Sequence, residues 1–320
     1  MKKEMLMIGG TQRMADAFSQ HFVLHNAADI PDLSTFADEK GEDIVAVSTF
    51  GAVGIKGEVM DKMPNLKIVS CYGVGYDAID IGKSLEKGIM VTHTPNVLND
   101  DVANTAILLM LAVSRRLVRD DAWVRSGNWK AKGNAPLTRS IEHKRVGILG
   151  LGRIGEVIAK KLTAFDCDIS YHSRNEKPES GLHYYATLLE MAQNVDYLVA
   201  ITPGGPSTNK IVNREVMDAL GPEGTLINIA RGTVVDEAEM VKALKEGRLG
   251  NAGLDVFEKE PHVPEELFAM ENVVLLPHVA SATVETRQAM GDLTVENIVR
   301  FFAEGKVTSP IPECAHMKIG

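Results

Sequence analysis

The chain has only three cysteines in 320 residues. Cys71, Cys167 and Cys314 lie far apart, are odd in number and form no Cys-x-x-Cys pair. That spacing suggests neither a disulfide framework nor a zinc site, so no metal is expected, and it points to a reducing cytoplasmic compartment. Positive charge is also scarce: 34 Lys and Arg against 43 Asp and Glu leave a net charge of -9. Nucleic acid and anionic membrane surfaces need a basic footprint, so neither is expected as the main partner; a local basic pocket stays compatible with the balance. Long apolar runs are missing. The longest, Ala106 to Val113, falls far short of the roughly 20 residues that span a bilayer. The short apolar stretch after Lys2-Lys3 ends at Gly9-Gly10, too early for a signal peptide, and reads as a first strand. No short repeat or low-complexity tract is visible. What remains, 45% hydrophobic and 24% charged, is the composition of a soluble globular protein of about two domains.

The first hundred residues alternate between strand-like and helix-like signals. Met5–Ile8, Ile44–Ser48, Lys67–Cys71 and Met90–Thr92 are short apolar runs separated by polar, helix-compatible segments. This is the rhythm of βαβ units and a parallel sheet. Asn99-Asp100-Asp101 is a helix-start signal, and a long apolar helix is expected from about Val102 to Leu117. Residues 119–142 carry Trp123, Gly127, Trp129, Gly133 and Pro136 and read as an extended, irregular arm. A second series then begins at Arg145. Strands are expected at Val146–Leu149, Asp168–His172, Tyr197–Ile201, Thr225–Ile229, Gly253–Val256 and Val273–Leu276. A final helix is expected from about Glu285 to Ala303, long enough to lead back to the first domain. The expected fold is α/β: two Rossmann-like domains with parallel sheets, the second inserted into the first, with the chemistry in the cleft between them.

Residues 150–155 read Gly-Leu-Gly-Arg-Ile-Gly. A lone pattern of this kind is weak, but here a strand runs straight into it and an amphipathic helix opens at about Arg153. Gly150 permits the tight turn, Gly152 lets backbone approach a pyrophosphate, and Gly155 lets helix pack on strand. The helix N-terminus then offers unpaired N–H groups to the phosphates.

From Gly73-Val74-Gly75 through Pro277-His278 the chain resembles the D-isomer-specific 2-hydroxyacid dehydrogenase family. Thr94-Pro95-Asn96-Val97-Leu98, Gly150 to Gly155, Asn228-Ile229-Ala230-Arg231-Gly232, Gly253-Leu254-Asp255-Val256-Phe257 and Leu276-Pro277-His278 fall in the family's order. Within it the likeness is greatest to glyoxylate/hydroxypyruvate reductases and their hydroxyphenylpyruvate-reducing relatives. The resemblance implies a flavodoxin-like substrate-binding domain over residues 1–98 and 285–320 and an NAD(P)-binding Rossmann domain over 99–284. It also implies cofactor contacts from Gly150, Gly152, Arg153, Ile154, Gly155, Thr202, Pro203, Thr208, Ile229, Arg231, Asp255 and His278, with Asp255 holding the nicotinamide carboxamide.

Reducing a 2-oxo acid needs a grip on the carboxylate, a proton for the carbonyl oxygen and a group that keeps the proton donor charged. Arg231 follows an expected strand, and a guanidinium binds a carboxylate with two parallel hydrogen bonds. Position alone would equally suit a surface arginine before a turn. His278, one of nine histidines, also follows a strand; its imidazolium suits a proton donor near neutral pH, although a lone histidine after a proline is more often structural. In relatives the glutamate of a Glu-Pro step pairs with this histidine. Glu260 before Pro261 fits, with Glu258 as the competing partner. Gly73-Val74-Gly75 offers backbone N–H groups as a small anion nest, or is a plain turn. Trp129 reads either as a residue reaching a neighbouring subunit or as packing.

Two departures from the commoner pattern stand out. Residues 202–208, Thr-Pro-Gly-Gly-Pro-Ser-Thr, are richer in glycine and proline than the usual loop under the cofactor. The end of the strand Asp168–His172 continues Ser173-Arg174-Asn175 and lacks the carboxylate that accepts ribose hydroxyls in NAD sites. Ser173 and Arg174 suit a 2′-phosphate instead, so NADPH is expected over NADH. The expected activity is NADPH-dependent reduction of glyoxylate, hydroxypyruvate and aromatic 2-oxo acids to D-2-hydroxy acids. Two alternatives stand beside it: a nucleotide-sensing regulatory or corepressor protein on the same scaffold, and a related dehydrogenase acting on formate or phosphoglycerate. A homodimer through the cofactor domain is expected, because a helix apolar on more than one face must be covered on both sides.

Overall fold

Short Val- and Ile-rich runs buried on both faces make parallel strands, and the polar segments between them fold as helices that cover the sheets. The computed structural model describes residues 2–319. It divides into two units, Met1–Leu98 with Ala282–Gly320, and Asn99–Ser281.

In the first unit β1 (Glu4–Met7), α1 (Gln12–His21), β2 (Val23–Asn26), α2 (Leu33–Lys40), β3 (Ile44–Phe50), α3 (Gly57–Asp61), β4 (Ile68–Tyr72), α4 (Ile81–Glu86) and β5 (Met90–Thr92) follow in order. The five strands are parallel in the order β2-β1-β3-β4-β5, which is the flavodoxin-like arrangement. Side chains of Thr11, Asp32 and Asp80 cap α1, α2 and α4 by accepting from backbone N–H groups of the first turn.

The second unit runs α5 (Asn99–Ser114), α6 (Leu117–Arg125), α7 (Asn128–Lys132), β6 (Arg145–Leu149), α8 (Arg153–Leu162), β7 (Asp168–His172), β8 (His183–Tyr184), α9 (Leu188–Asn194), β9 (Tyr197–Ala200), α10 (Arg214–Leu220), β10 (Thr225–Asn228), α11 (Glu237–Lys245), β11 (Asn251–Leu254) and β12 (Val273–Leu275). Its seven parallel strands lie in the order β12-β11-β10-β9-β6-β7-β8. This is the doubly wound order, and it reverses direction between β6 and β9. The last helix, α12 (Val284–Glu304), belongs to the first unit and packs on β4 and α1. No helix among the described residues is long and apolar enough to cross a membrane.

The structure corrects the sequence reading in three places. The arm is helical rather than irregular through α6 and α7. Its breaks fall where Arg116, Gly127 and Gly133 take positive φ, and the piece is tied down by Trp123 Nε1 donating to the Gly133 carbonyl at 3.0 Å. For the same reason α5 stops at Ser114, before the left-handed Arg116. Two short strands, β2 and β8, escape the pattern because they sit at sheet edges, where burial is incomplete.

Candidate active site

The glycine-rich turn sits at the carboxyl end of β6, beside the point where strand order reverses. Gly150 has φ of +103°, and a Cβ there would lie 3.0 Å from the backbone of Thr202, which follows β9. A Cβ on Gly155 would lie 2.4 Å from the Gly150 carbonyl oxygen, so α8 packs on the turn only without a side chain. Gly152 differs. Its φ is -88° and a Cβ would meet nothing within 4 Å. Neither backbone strain nor the protein's own packing asks for glycine there, and the open space suits close approach by a ligand. No side chain caps α8 at Gly152, so the N–H groups of its first turn are not engaged by a side-chain cap. Arg153 is exposed and Ile154 partly buried at the same helix start. These residues fit a dinucleotide pyrophosphate.

At the end of β7, Ser173 Oγ accepts from the Leu151 N–H at 3.0 Å, tying the strand end to the glycine turn and leaving the hydroxyl hydrogen to donate elsewhere. Lys177 is paired with Glu156 at 2.8 Å. Arg174 is exposed and engages no ion pair among the described residues. The loop over 202–208 closes on itself: Thr208 Oγ1 donates to the Pro203 carbonyl at 2.7 Å, and Gly205 takes φ of +125°. Ile229 is buried with its N–H on the Ala200 carbonyl.

Three adjacent strands deliver the remaining residues at their carboxyl ends: Arg231 after β10, Asp255 after β11 and His278 after β12. His278 Nδ1 lies 2.7 Å from Glu260 Oε2. The other carboxylate oxygen, Oε1, accepts from the Phe257 N–H at 3.1 Å. Glu258 instead has its N–H on Glu237, at 3.0 Å. Geometry therefore decides between the two glutamates in favour of Glu260. Burial pushes the Glu260 carboxyl up, but the hydrogen bond and charge of His278, the Phe257 N–H and the charge of Arg231 outweigh it, and the net shift is downward.

Gly232 carries Arg231 into this cluster. A Cβ on Gly232 would lie 1.9 Å from the Phe257 carbonyl carbon, so the arginine loop lies directly on the segment that holds Glu260. The turn is set from inside by buried Asn228, which accepts from Ala230 N–H at 3.1 Å and donates to the Arg231 carbonyl at 3.0 Å.

Asp255 is fully buried. Its carboxylate oxygens accept from Val279 N–H at 2.7 Å and Ala280 N–H at 2.9 Å, and its carbonyl accepts from His278 N–H at 2.8 Å. Burial raises its carboxyl above the usual range against the pull of those two N–H groups and of His278. His278 has φ of +54°, a costly conformation for a side-chain-bearing residue. Asp255 is what holds it there, a role toward the histidine that the sequence gives no sign of.

In the first unit, Gly73, Val74 and Gly75 follow β4. Their carbonyls are all occupied: Thr94 N–H donates to Gly73 at 2.9 Å, His93 Nδ1 to Val74 at 2.9 Å and Cys71 Sγ to Gly75 at 3.4 Å. Trp129 is 59% exposed and so not a core residue; its indole N–H bonds Asn134.

The chain is similar to a family of known proteins. The family description "D-isomer specific 2-hydroxyacid dehydrogenase, NAD binding domain" matches residues 107–280. The chain is 53% identical over 281 residues to glyoxylate/hydroxypyruvate reductase A of Arabidopsis thaliana, covering 88% of this chain and 90% of that one. It matches the hydroxyphenylpyruvate reductase of Plectranthus scutellarioides at the same identity and coverage. Among solved structures it is similar to the NADPH-dependent glyoxylate/hydroxypyruvate reductase of Sinorhizobium meliloti in complex with NADP and malonate, with TM-score 0.92, 42% identity and 98% of each chain covered. The chain belongs to the D-isomer-specific 2-hydroxyacid dehydrogenase family and is an NAD(P)-dependent oxidoreductase.

Proposed function

We propose that the enzyme reduces small 2-oxo acids, glyoxylate and hydroxypyruvate foremost and aromatic 2-oxo acids beside them, to D-2-hydroxy acids with NADPH. The observation that carries this reading is the His278–Glu260 pair at 2.7 Å, with the Arg231 loop docked on its base. The names of the relatives point to the same substrates. When bound, the nicotinamide supplies a hydride for C2 of the substrate. Glu260 engages Nδ1 of His278, so Nε2 is the nitrogen that donates a proton to the carbonyl oxygen. The carboxylate holds the ring in place and keeps Nδ1–H engaged while Nε2 gives up its proton. Arg231 orients the substrate carboxylate and polarises the neighbouring carbonyl.

The cofactor reading assigns the pyrophosphate to Gly150, Gly152, Arg153, Ile154 and Gly155, and the 2′-phosphate to Ser173 and Arg174. Thr202, Pro203, Thr208, Ile229, Arg231, Asp255 and His278 complete it. Substrate binding is assigned to Gly73, Val74 and Gly75 in the first unit and to Arg231 and His278 in the second, which makes the first unit substrate-binding and the second nucleotide-binding. The compartment proposed is the cytoplasm, in keeping with few cysteines and no Cys-x-x-Cys pair.

A panel of 2-oxo acids assayed with NADPH and with NADH tests the reading. Turnover of glyoxylate and hydroxypyruvate with NADPH is expected, with D-glycerate as the product of the latter. Cofactor binding without turnover of any member would move the weight to nucleotide sensing.

A further inference from the structure

The peptide planes after β4 are held in an unusual way for a surface loop. Three consecutive carbonyls, of Gly73, Val74 and Gly75, each accept a hydrogen bond, and the donors are Thr94 N–H, the His93 ring and Cys71 Sγ. In a trans peptide the C=O of one residue and the N–H of the next lie in one plane and point in opposite directions. Holding these three carbonyls therefore aims the N–H groups of Val74, Gly75 and Tyr76 the other way. Those three N–H groups donate to no group among the described residues. A set of neighbouring, outward N–H groups is an anion-binding concavity. Gly73 leaves room for it: a Cβ there would meet only ordinary contacts at 3.7 Å and beyond, and its φ is not positive, so the fold itself does not require glycine.

The middle plane depends on one side chain. His93 is buried, just past β5. A carbonyl can only accept, so Nδ1 carries the hydrogen that Val74 receives. The residue is fixed on both sides of its backbone. Its N–H donates to the Ser309 carbonyl at 3.1 Å, and Ser309 Oγ donates to its carbonyl at 2.6 Å. Ser309 is itself held by buried Asn297 of α12, whose amide donates to Ser309 Oγ at 2.8 Å and whose oxygen accepts the Ser309 N–H at 3.0 Å. The ring meets Tyr76 edge to face, centroids 5.5 Å apart. Tyr76 donates its hydroxyl to Glu313, and burial, with the Glu313 charge, pushes that hydroxyl up to about 12, so it stays a donor.

We propose that His93 is a positioning residue for substrate: by holding the Val74 carbonyl it presents the N–H groups of Val74, Gly75 and Tyr76 to the carboxylate of the 2-oxo acid. This rests on the reading above that the Gly73–Gly75 loop takes the substrate carboxylate, and it adds the Tyr76 N–H to that site.

The test compares wild-type enzyme with His93→Phe, which keeps a ring against Tyr76 and loses the donor, and His93→Asn, which retains a side-chain N–H. Readouts are KM and kcat for glyoxylate, the inhibition constant for malonate as a non-reducible carboxylate, the Kd for NADPH and the Tm. His93→Phe is expected to raise KM and the malonate constant together, by about tenfold, the usual scale for one hydrogen bond to a charged group. Because the carboxylate is held alike before and during reaction, kcat changes little. The NADPH Kd stays unchanged and His93→Asn recovers part of the loss. A lowered Tm with KM and malonate inhibition unchanged overturns the proposal and leaves His93 a core residue, with the reading of the loop intact. Wild-type enzyme that neither reduces glyoxylate nor takes up malonate overturns both. A second measurement needs no variant: malonate is expected to slow amide hydrogen exchange at Val74, Gly75 and Tyr76 in the wild-type enzyme. Unchanged exchange there counts against the proposal in the same way.

Discussion

At the scale of single residues, the proposed chemistry rests on a histidine held in a costly backbone conformation by groups around it. Asp255 holds the backbone of His278 and the two residues after it, while Glu260 holds its ring. His278→Ala is expected to lower kcat by about 10²- to 10⁴-fold, the usual worth of a positioned acid. The Kd for NADPH should move far less, since the proton is needed only as the transition state forms; near-normal kcat would remove His278 from the mechanism. The downward shift of the Glu260 carboxyl has a consequence for stability. A carboxyl lowered in the folded state stabilises the fold above its unfolded value, about 4.3, and that contribution fades as pH falls through the folded value. The Tm advantage of wild type over Glu260→Gln should therefore be present at pH 6 to 7 and shrink below about pH 4. A Tm difference that does not vary with pH across that range would contradict the assignment. Little of this was legible in the sequence. Motif order proposes Arg231, Glu260 and His278, but Asp255's grip on His278 and the contact of Gly232 with Phe257 involve residues 23 and 25 positions apart, and no spacing rule reaches that far.

Elements position these residues more than they create them. Every candidate in the second unit lies at the carboxyl end of a parallel strand, β6, β7, β9, β10, β11 or β12, or in the segment that follows it, on the side where such sheets bind ligands. The end of β7 is where the proposed preference for NADPH would be set. With Lys177 paired to Glu156, Arg174 is the cation left exposed there. A charge-assisted hydrogen bond to the 2′-phosphate is worth about 1.5–3 kcal/mol, so Arg174→Ala should cut kcat/KM for NADPH by roughly 10- to 150-fold. The NADH value should stay nearly constant, and the NADPH preference should weaken as salt rises. Steady-state kinetics with both cofactors decide it; unaltered NADPH kinetics in the variant would show that the phosphate lies elsewhere.

At the scale of the whole molecule, the second unit carries apolar surface that its own chain does not cover. In α5, Leu109 and Val113 pack against Gly253 of β11, while Leu108 is exposed. Leu117, Val118 and Val124 of α6, Trp129 of α7 and Leu137 are exposed as well. Exposed apolar side chains gathered in one stretch of chain, residues 108 to 137, suit a protein interface. We propose a homodimer formed through it. Light scattering at micromolar concentration should give twice the 34.8 kDa chain mass, and Leu117→Asp with Val118→Asp should shift it to the monomer. A monomeric wild type would refute the arrangement.

Sequence by itself determined the α/β alternation, the glycine cradle and the missing carboxylate after β7. Each is written in local spacing: period, turn residues and the offset from a strand to the residue after it. Tertiary structure alone decided the rest. It chose Glu260 over Glu258, because Glu260 is the carboxylate that engages the His278 ring among the described residues. It also turned the arm into helices, and it set the three carbonyls after β4 against His93, Thr94 and Cys71. Those outcomes depend on which peptide planes and side chains meet once strands are aligned, and contacts between residues distant in the chain leave no periodic trace in it.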